Sequence, residues 1–157
     1  MVKHEGWKGI GYLLGLAASS AVTYGVMYFG NHRMEDCGCT PSQIAALTLV
    51  LQESVYIPTN FLFHPLFCAP CYESEQEVRD DLNGIAKSNL AAISLSTLLK
   101  AGLHYFCIKK GLDPATSMLG IYSVVGASGA VVKLPLDIKN KVIGKFTKKR
   151  KLEELAG

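Results

Sequence analysis

The sequence predicts an all-α integral membrane protein: four transmembrane helices arranged as two repeated helical hairpins. Three observations lead there. Four long stretches are almost free of charge, the charged residues gather between and after them, and an internal repeat relates the first pair of stretches to the second. Of the 157 residues, 49% are hydrophobic and only 18% charged, and that charge is concentrated in the N-terminal octet, in 73–81 and in 133–154. A water-soluble helical bundle intersperses its charges, because each helix keeps a polar face toward solvent.

The spans are expected at about 10–30, 42–67, 85–108 and 114–138, with 139–157 as a basic cytosolic tail. Each is near or above the roughly 20 residues that cross a ~30 Å hydrocarbon core as helix. The first carries no charge and has a Gly-x-x-x-Gly at Gly11 and Gly15, a flat stripe on which another helix can lie close. It lacks a small-residue cleavage pattern followed by a polar mature domain, so it reads as a retained span rather than a signal peptide. Trp7, Tyr12, Tyr24, Tyr28 and Phe29 fall near its two ends, where interfacial aromatics belong. Thr40-Pro41 is a start signal for the second span. The segment 72–84 reads as a short acidic cytosolic turn leading into the third. A second small-residue stripe, Gly120, Gly126, Gly129 and Ala130, marks the fourth. Two such stripes in so small a bundle suit a homo-oligomer, or a subunit docked on a larger enzyme such as a glycosyltransferase.

Lysine and arginine near the span ends favour one side. Lys3, Lys8, Arg79, Lys87 and the cluster from Lys139 to Lys151 lie there, against Arg33, Lys109 and Lys110 on the other. The positive-inside bias then places both termini in the cytosol. The basic tail suits contact with anionic lipid headgroups; nucleic acid is not an expected partner.

Shifting the chain by 77 residues superposes Ser19 on Ser96, Gly25 on Gly102, Tyr28 on Tyr105, Phe29 on Phe106, Pro58 on Pro135 and Asn60 on Asp137. Pro-x-Asn and Pro-x-Asp then stand at equivalent helix exits. Transporters built from repeats place their substrate site between the repeats.

With its paired hairpins and Asn60-Phe61 leading to Phe67, the chain resembles the GtrA-like small membrane proteins. In the second half Asp137-Ile138 leads to Phe146 through Lys139 and Lys141. The chain departs from that pattern in having Asp137 for the second Asn, a shorter first exit, and His64-Pro65 for the usual Asn-Arg pair. The resemblance implies flipping, or assisting the flipping, of polyprenyl-phosphate-linked sugars for cell-surface glycosylation. Asn60, His64, Lys133, Asp137, Lys139 and Lys141 are the candidate substrate-binding residues: Asn60, His64 and the three lysines as donors and cations gathered near one membrane face, and Asp137 as the counterpart of Asn60 in the second half.

Two charges lie at depth. Glu53 is near mid-span in the second stretch and Lys100 is inside the third, at depths about 6 Å apart. An unpaired charge there costs several kcal/mol, so the two are expected to pair, either fixing how the hairpins pack or leaving Glu53 to carry a proton for transport. The competing function is a thiol-dependent membrane oxidoreductase using Cys68 and Cys71. A third reading is an accessory subunit of a membrane enzyme complex. Cys37 and Cys39 emerge at the opposite end of the second span, too far to join Cys68 and Cys71 in one centre. No catalytic constellation, nucleotide-binding loop, metal site or cofactor motif is read in the sequence.

Overall fold

The computed structural model describes residues 3–139; within that range the side chains at 3–6, 91–95, 129–132 and 136–139 are not described. The described residues are helical throughout apart from short turns: α1 Lys3–Asp36, α2 Pro41–Cys68, a 3-10 turn Ala69–Cys71, α3 Glu75–Lys109 and α4 Pro114–Lys139. The all-α class is as the sequence predicts. Long and short helices alternate, at 34, 28, 35 and 26 residues. The closest packing is within the successive pairs α1–α2 and α3–α4, while α2–α3 and α1–α4 contacts close the four into a ring.

The turns follow from their residues. Gly38, at φ +72°, supplies the left-handed conformation after α1. Thr40 then builds a full capping box with Gln43, accepting from the Gln43 amide at 3.4 Å while the Gln43 side chain accepts from the Thr40 amide at 2.8 Å. Ser74 accepts from the Glu77 amide at 3.3 Å to start α3. Gly111, at φ +85°, ends the next turn, and Asp113 caps α4 by accepting from the Thr116 amide.

Two expectations are corrected here. The segment from 72 to 84 is not a turn, since α3 begins at Glu75 and Asp81 lies within it. The second helix covers the expected 42–67, but Pro58 is not a helix exit: the helix passes through Pro58 and Pro65 to Cys68. Proline removes an amide and bends a helix. Here the Thr59 hydroxyl bonds back to the carbonyls of Val55 at 2.7 Å and Tyr56 at 3.1 Å, securing the backbone beside Pro58. Asn60 and His64 therefore sit within a helix rather than past its end.

The distribution of polarity is inverted relative to a water-soluble bundle. Ser19, Thr23, Asn31, Thr48, Asn60, Asn89, Lys100 and His104 are buried. Leu98 is 85% exposed and Phe29 71%, with Leu62, Leu66, Leu90 and Val124 similarly turned outward. Among the described residues, Trp7–Asp36 is the one stretch long and apolar enough by length and composition to cross a membrane. Inward-facing polar residues such as Gln52, Glu53 and Asn60 dilute α2, and Lys100 does the same in α3.

Candidate functional site

All four helices line one cavity of about 470 Å³, which is partly open at its side past Leu13 and Leu134. From α1 come Tyr12, Ser20, Thr23 and Tyr24; from α2, Gln52, Glu53 and Tyr56. From α3 come Asn89, Ser96 and Lys100; from α4, Tyr122, Val125 and Lys133. The chemistry is mixed by construction: two cations, one carboxylate, two amides and four tyrosines within otherwise apolar walls.

Glu53 and Lys100, predicted to pair, line this same cavity. Both Glu53 oxygens are buried and lack a hydrogen-bond partner. Lys100, only 5% exposed, sets its ammonium over the Tyr122 ring, 5.6 Å from the centroid. Among the described residues no contact ion pair joins Glu53 and Lys100; the Lys100 ammonium is instead held by an aromatic face. The Tyr122 hydroxyl, the Gln52 carbonyl oxygen and both polar atoms of the Asn89 amide are likewise buried without partners.

A second polar cluster lies beyond Tyr12, next to the cavity. Lys8 of α1 pairs with Asp81 of α3 at 2.5 Å, and His64 Nε2 of α2 lies 3.7 Å from the same carboxylate oxygen. Burial raises the pKa of Asp81, but the Lys8 ammonium and the His64 ring outweigh it and hold the carboxyl below the usual range. The Tyr72 hydroxyl is pushed up by burial and by the Asp81 charge. Tyr12 stands between cluster and cavity, edge-on to His64 at 5.9 Å and with Lys133 over its ring at 5.6 Å. Neither Lys8 nor Asp81 was singled out from sequence, because each sits in a charged segment that reads as solvated.

Of the residues expected to bind substrate, Lys133 lines the cavity, whereas His64 and Asn60 are 1% and 2% exposed inside the bundle. His64 faces Asp81 and Cys68 rather than an open headgroup site. The side chains of Asp137 and Lys139, and all of Lys141, lie outside the described residues.

Compared with family models, curated proteins and solved structures, the chain matches none. Its chemistry is read from its own geometry.

All five cysteines are free thiols. Cys68 is fully buried, its Sγ 3.7 Å from the Lys8 carbonyl and 3.9 Å from His64 Nδ1. Burial pushes the Cys71 thiol up, against the opposing Lys8 charge. A reactive thiol needs an accessible, stabilised thiolate; Cys68 is buried, and the partly exposed Cys71 is accessible but its thiolate is not stabilised. Cys37 and Cys39 lie about 40 Å away along α2. In detergent, iodoacetamide is expected to modify the exposed Cys37 at least ~100-fold faster than Cys68, by peptide mass mapping; equal rates would restore the redox reading.

Proposed function

We propose that this chain is a multi-pass membrane protein with four spans and both termini cytosolic, acting as a small flippase-like carrier. Polyprenyl-phosphate-linked sugars, the class implied by the GtrA-like resemblance, are its proposed substrates. The observation that carries this reading is a mainly apolar cavity with Glu53 and Lys100 in its lining, inside a bundle that turns large apolar side chains outward. In water the outward leucines and phenylalanines would form an aggregating patch. In lipid they face their preferred solvent, and helices satisfy their own backbone. Ionisable residues in such a bundle face its interior and mark a substrate or ion path.

In this arrangement the lipid's chain lies along the apolar exterior while its head enters the cavity. Lys100 supplies positive charge for the phosphate, and the amides and tyrosines supply contacts for a sugar. The Lys8–Asp81–His64 cluster, beyond Tyr12, lies toward the end assigned to the cytosol.

Reconstitution tests both parts. Vesicles holding the full chain and a polyprenyl-phosphate-linked sugar are expected to expose the sugar in the opposite leaflet, read by a reagent that cannot cross the bilayer. Lys100→Met is expected to slow this at least ~10-fold, the worth of a charge-assisted contact. Transfer no faster than in protein-free vesicles would overturn the carrier reading. In the same vesicles Cys37 and Cys71 are expected to label from opposite sides; labelling from one side would overturn the topology.

A further inference from the structure

A carboxylate and an ammonium share a cavity, and neither neutralises the other by contact. Lys100 is nineteen-twentieths buried with only a ring face beneath its charge, and both Glu53 oxygens are enclosed without a donor. Beside Glu53, the Gln52 carbonyl oxygen is a further acceptor without a donor. The local deficit is thus of donors at the Glu53 end and of an anion at the Lys100 end. A buried charge left in this condition costs several kcal/mol, and the two charges come from different helices, Glu53 from α2 and Lys100 from α3, so no local turn geometry forces the arrangement.

The phosphate of an uncharged sugar satisfies one end of such a cavity and leaves the carboxylate facing uncharged hydroxyls. A simple cation satisfies the other end and is repelled by Lys100. A head that carries both charges satisfies each. We infer that the cavity binds a head group bearing both a phosphate and a primary ammonium, with the phosphate at Lys100 and the ammonium at Glu53 and Gln52. The volume of about 470 Å³ holds one sugar-sized head with room for water. The inference rests on the proposed role of the cavity as the carrier's substrate site and narrows the substrate within it: among lipid-linked sugars, those whose sugar has a free amine. Phosphate and ammonium also occur together in an ethanolamine lipid headgroup, and the test separates the two sources.

The full chain in phosphatidylcholine nanodiscs is titrated calorimetrically with glucosamine 1-phosphate, glucose 1-phosphate, N-acetylglucosamine 1-phosphate and O-phosphoethanolamine. Glucosamine 1-phosphate is expected to bind ~10- to 100-fold more tightly than its neutral and N-acetylated counterparts, the range of a hydrogen bond to a buried charge. Glu53→Gln is expected to erase that preference while retaining phosphate-dependent binding, and Lys100→Met to weaken all four probes. Should Glu53→Gln fail to fold, the comparison of amino and N-acetyl probes on the unaltered chain asks the same question. Phosphoethanolamine binding as tightly as glucosamine 1-phosphate supports the paired-charge site and assigns it to a lipid headgroup; weaker binding assigns it to the amino sugar. Equal affinity for glucose and glucosamine phosphates, or no binding of any probe, overturns the inference. Selective binding without transfer in vesicles would instead remove the carrier reading and leave the site standing.

Discussion

Replacing Asp81 with alanine is expected to lower the stability of the bundle by about 3 kcal/mol, because breaking one side of a buried ion pair strands the other. Lys8 would be left with its charge 13% exposed beside the His64 ring, which would lose the acid it faces. Lys8 comes from α1, His64 from α2 and Asp81 from α3, so one substitution loosens three helices at once. Asp81→Asn keeps the shape and removes only the charge, and is expected to fall between the two. Thermal unfolding in detergent, followed by the helical circular dichroism signal, reads both. A change under about 0.5 kcal/mol for Asp81→Ala, the scale of an ordinary surface substitution, would mean that the cluster is a solvated surface pair.

The pH dependence follows with a definite sign. The Asp81 carboxyl is held below its ordinary value, so the folded chain releases that proton more readily than the unfolded one. Its contribution is complete above the unfolded carboxylate's pKa of about 3.9 and is lost as the pH falls through the folded value. The gap between the native chain and Asp81→Asn is therefore expected to close only below about pH 4. A gap that stayed open well below that range would show that the Asp81 charge is not what stabilises the cluster.

That cluster also shows where sequence reading succeeds and where it stops. The helices were legible because hydrophobic stretches of span length and the Thr40-Pro41 start signal act locally. Glu53 and Lys100 were legible because a charge inside an apolar run is costly wherever it lies, and the cavity gathers both. Lys8 and Asp81 were not, since a lysine near the N-terminus and an aspartate in an acidic segment each read as solvated until three helices bring them together. Pro58 was misread as a helix exit for a related reason. Proline signals a helix stop from its own chemistry, whereas the back-bonded Thr59 hydroxyl and the packing of α1 against 63–68 carry the helix onward. Tyr122 and Asn89 gave no sequence signal, because a lone polar residue in an apolar helix gains meaning only from the space it faces.

The packing of α1 against α2 rests on one glycine more than on any large side chain. A Cβ added at Gly11 would lie 2.6 Å from the Phe67 carbonyl oxygen and 3.1 Å from Cys68 Sγ, and the nearer neighbour is backbone that cannot swing aside. At Gly15 the closest approach is 3.3 Å, to the His64 Cα, which a small shift relieves. Gly25 and Gly102, the pair matched by the internal repeat, meet nothing within 4 Å. Gly11→Leu is therefore expected to force α1 off the end of α2 and to cost about 3 kcal/mol, at the upper end of overpacking effects. Gly15→Ala is expected to cost about 1 kcal/mol, and Gly25→Ala to be neutral or slightly stabilising through helix propensity. The change has its own reporter. Trp7 is the single tryptophan, and its indole N–H donates to the same Phe67 carbonyl at 3.2 Å, so separating the helices at Gly11 breaks that bond and shifts the emission. Because Lys8 and the Cys68 contact lie on the same turn, the separation also pulls Lys8 away from Asp81. Gly11→Leu and Asp81→Ala should then be strongly non-additive, the double variant losing little more than the worse single one. Additive losses would show that the close approach of α1 to α2 and the ion pair to α3 are independent, and that this end of the bundle is not one unit.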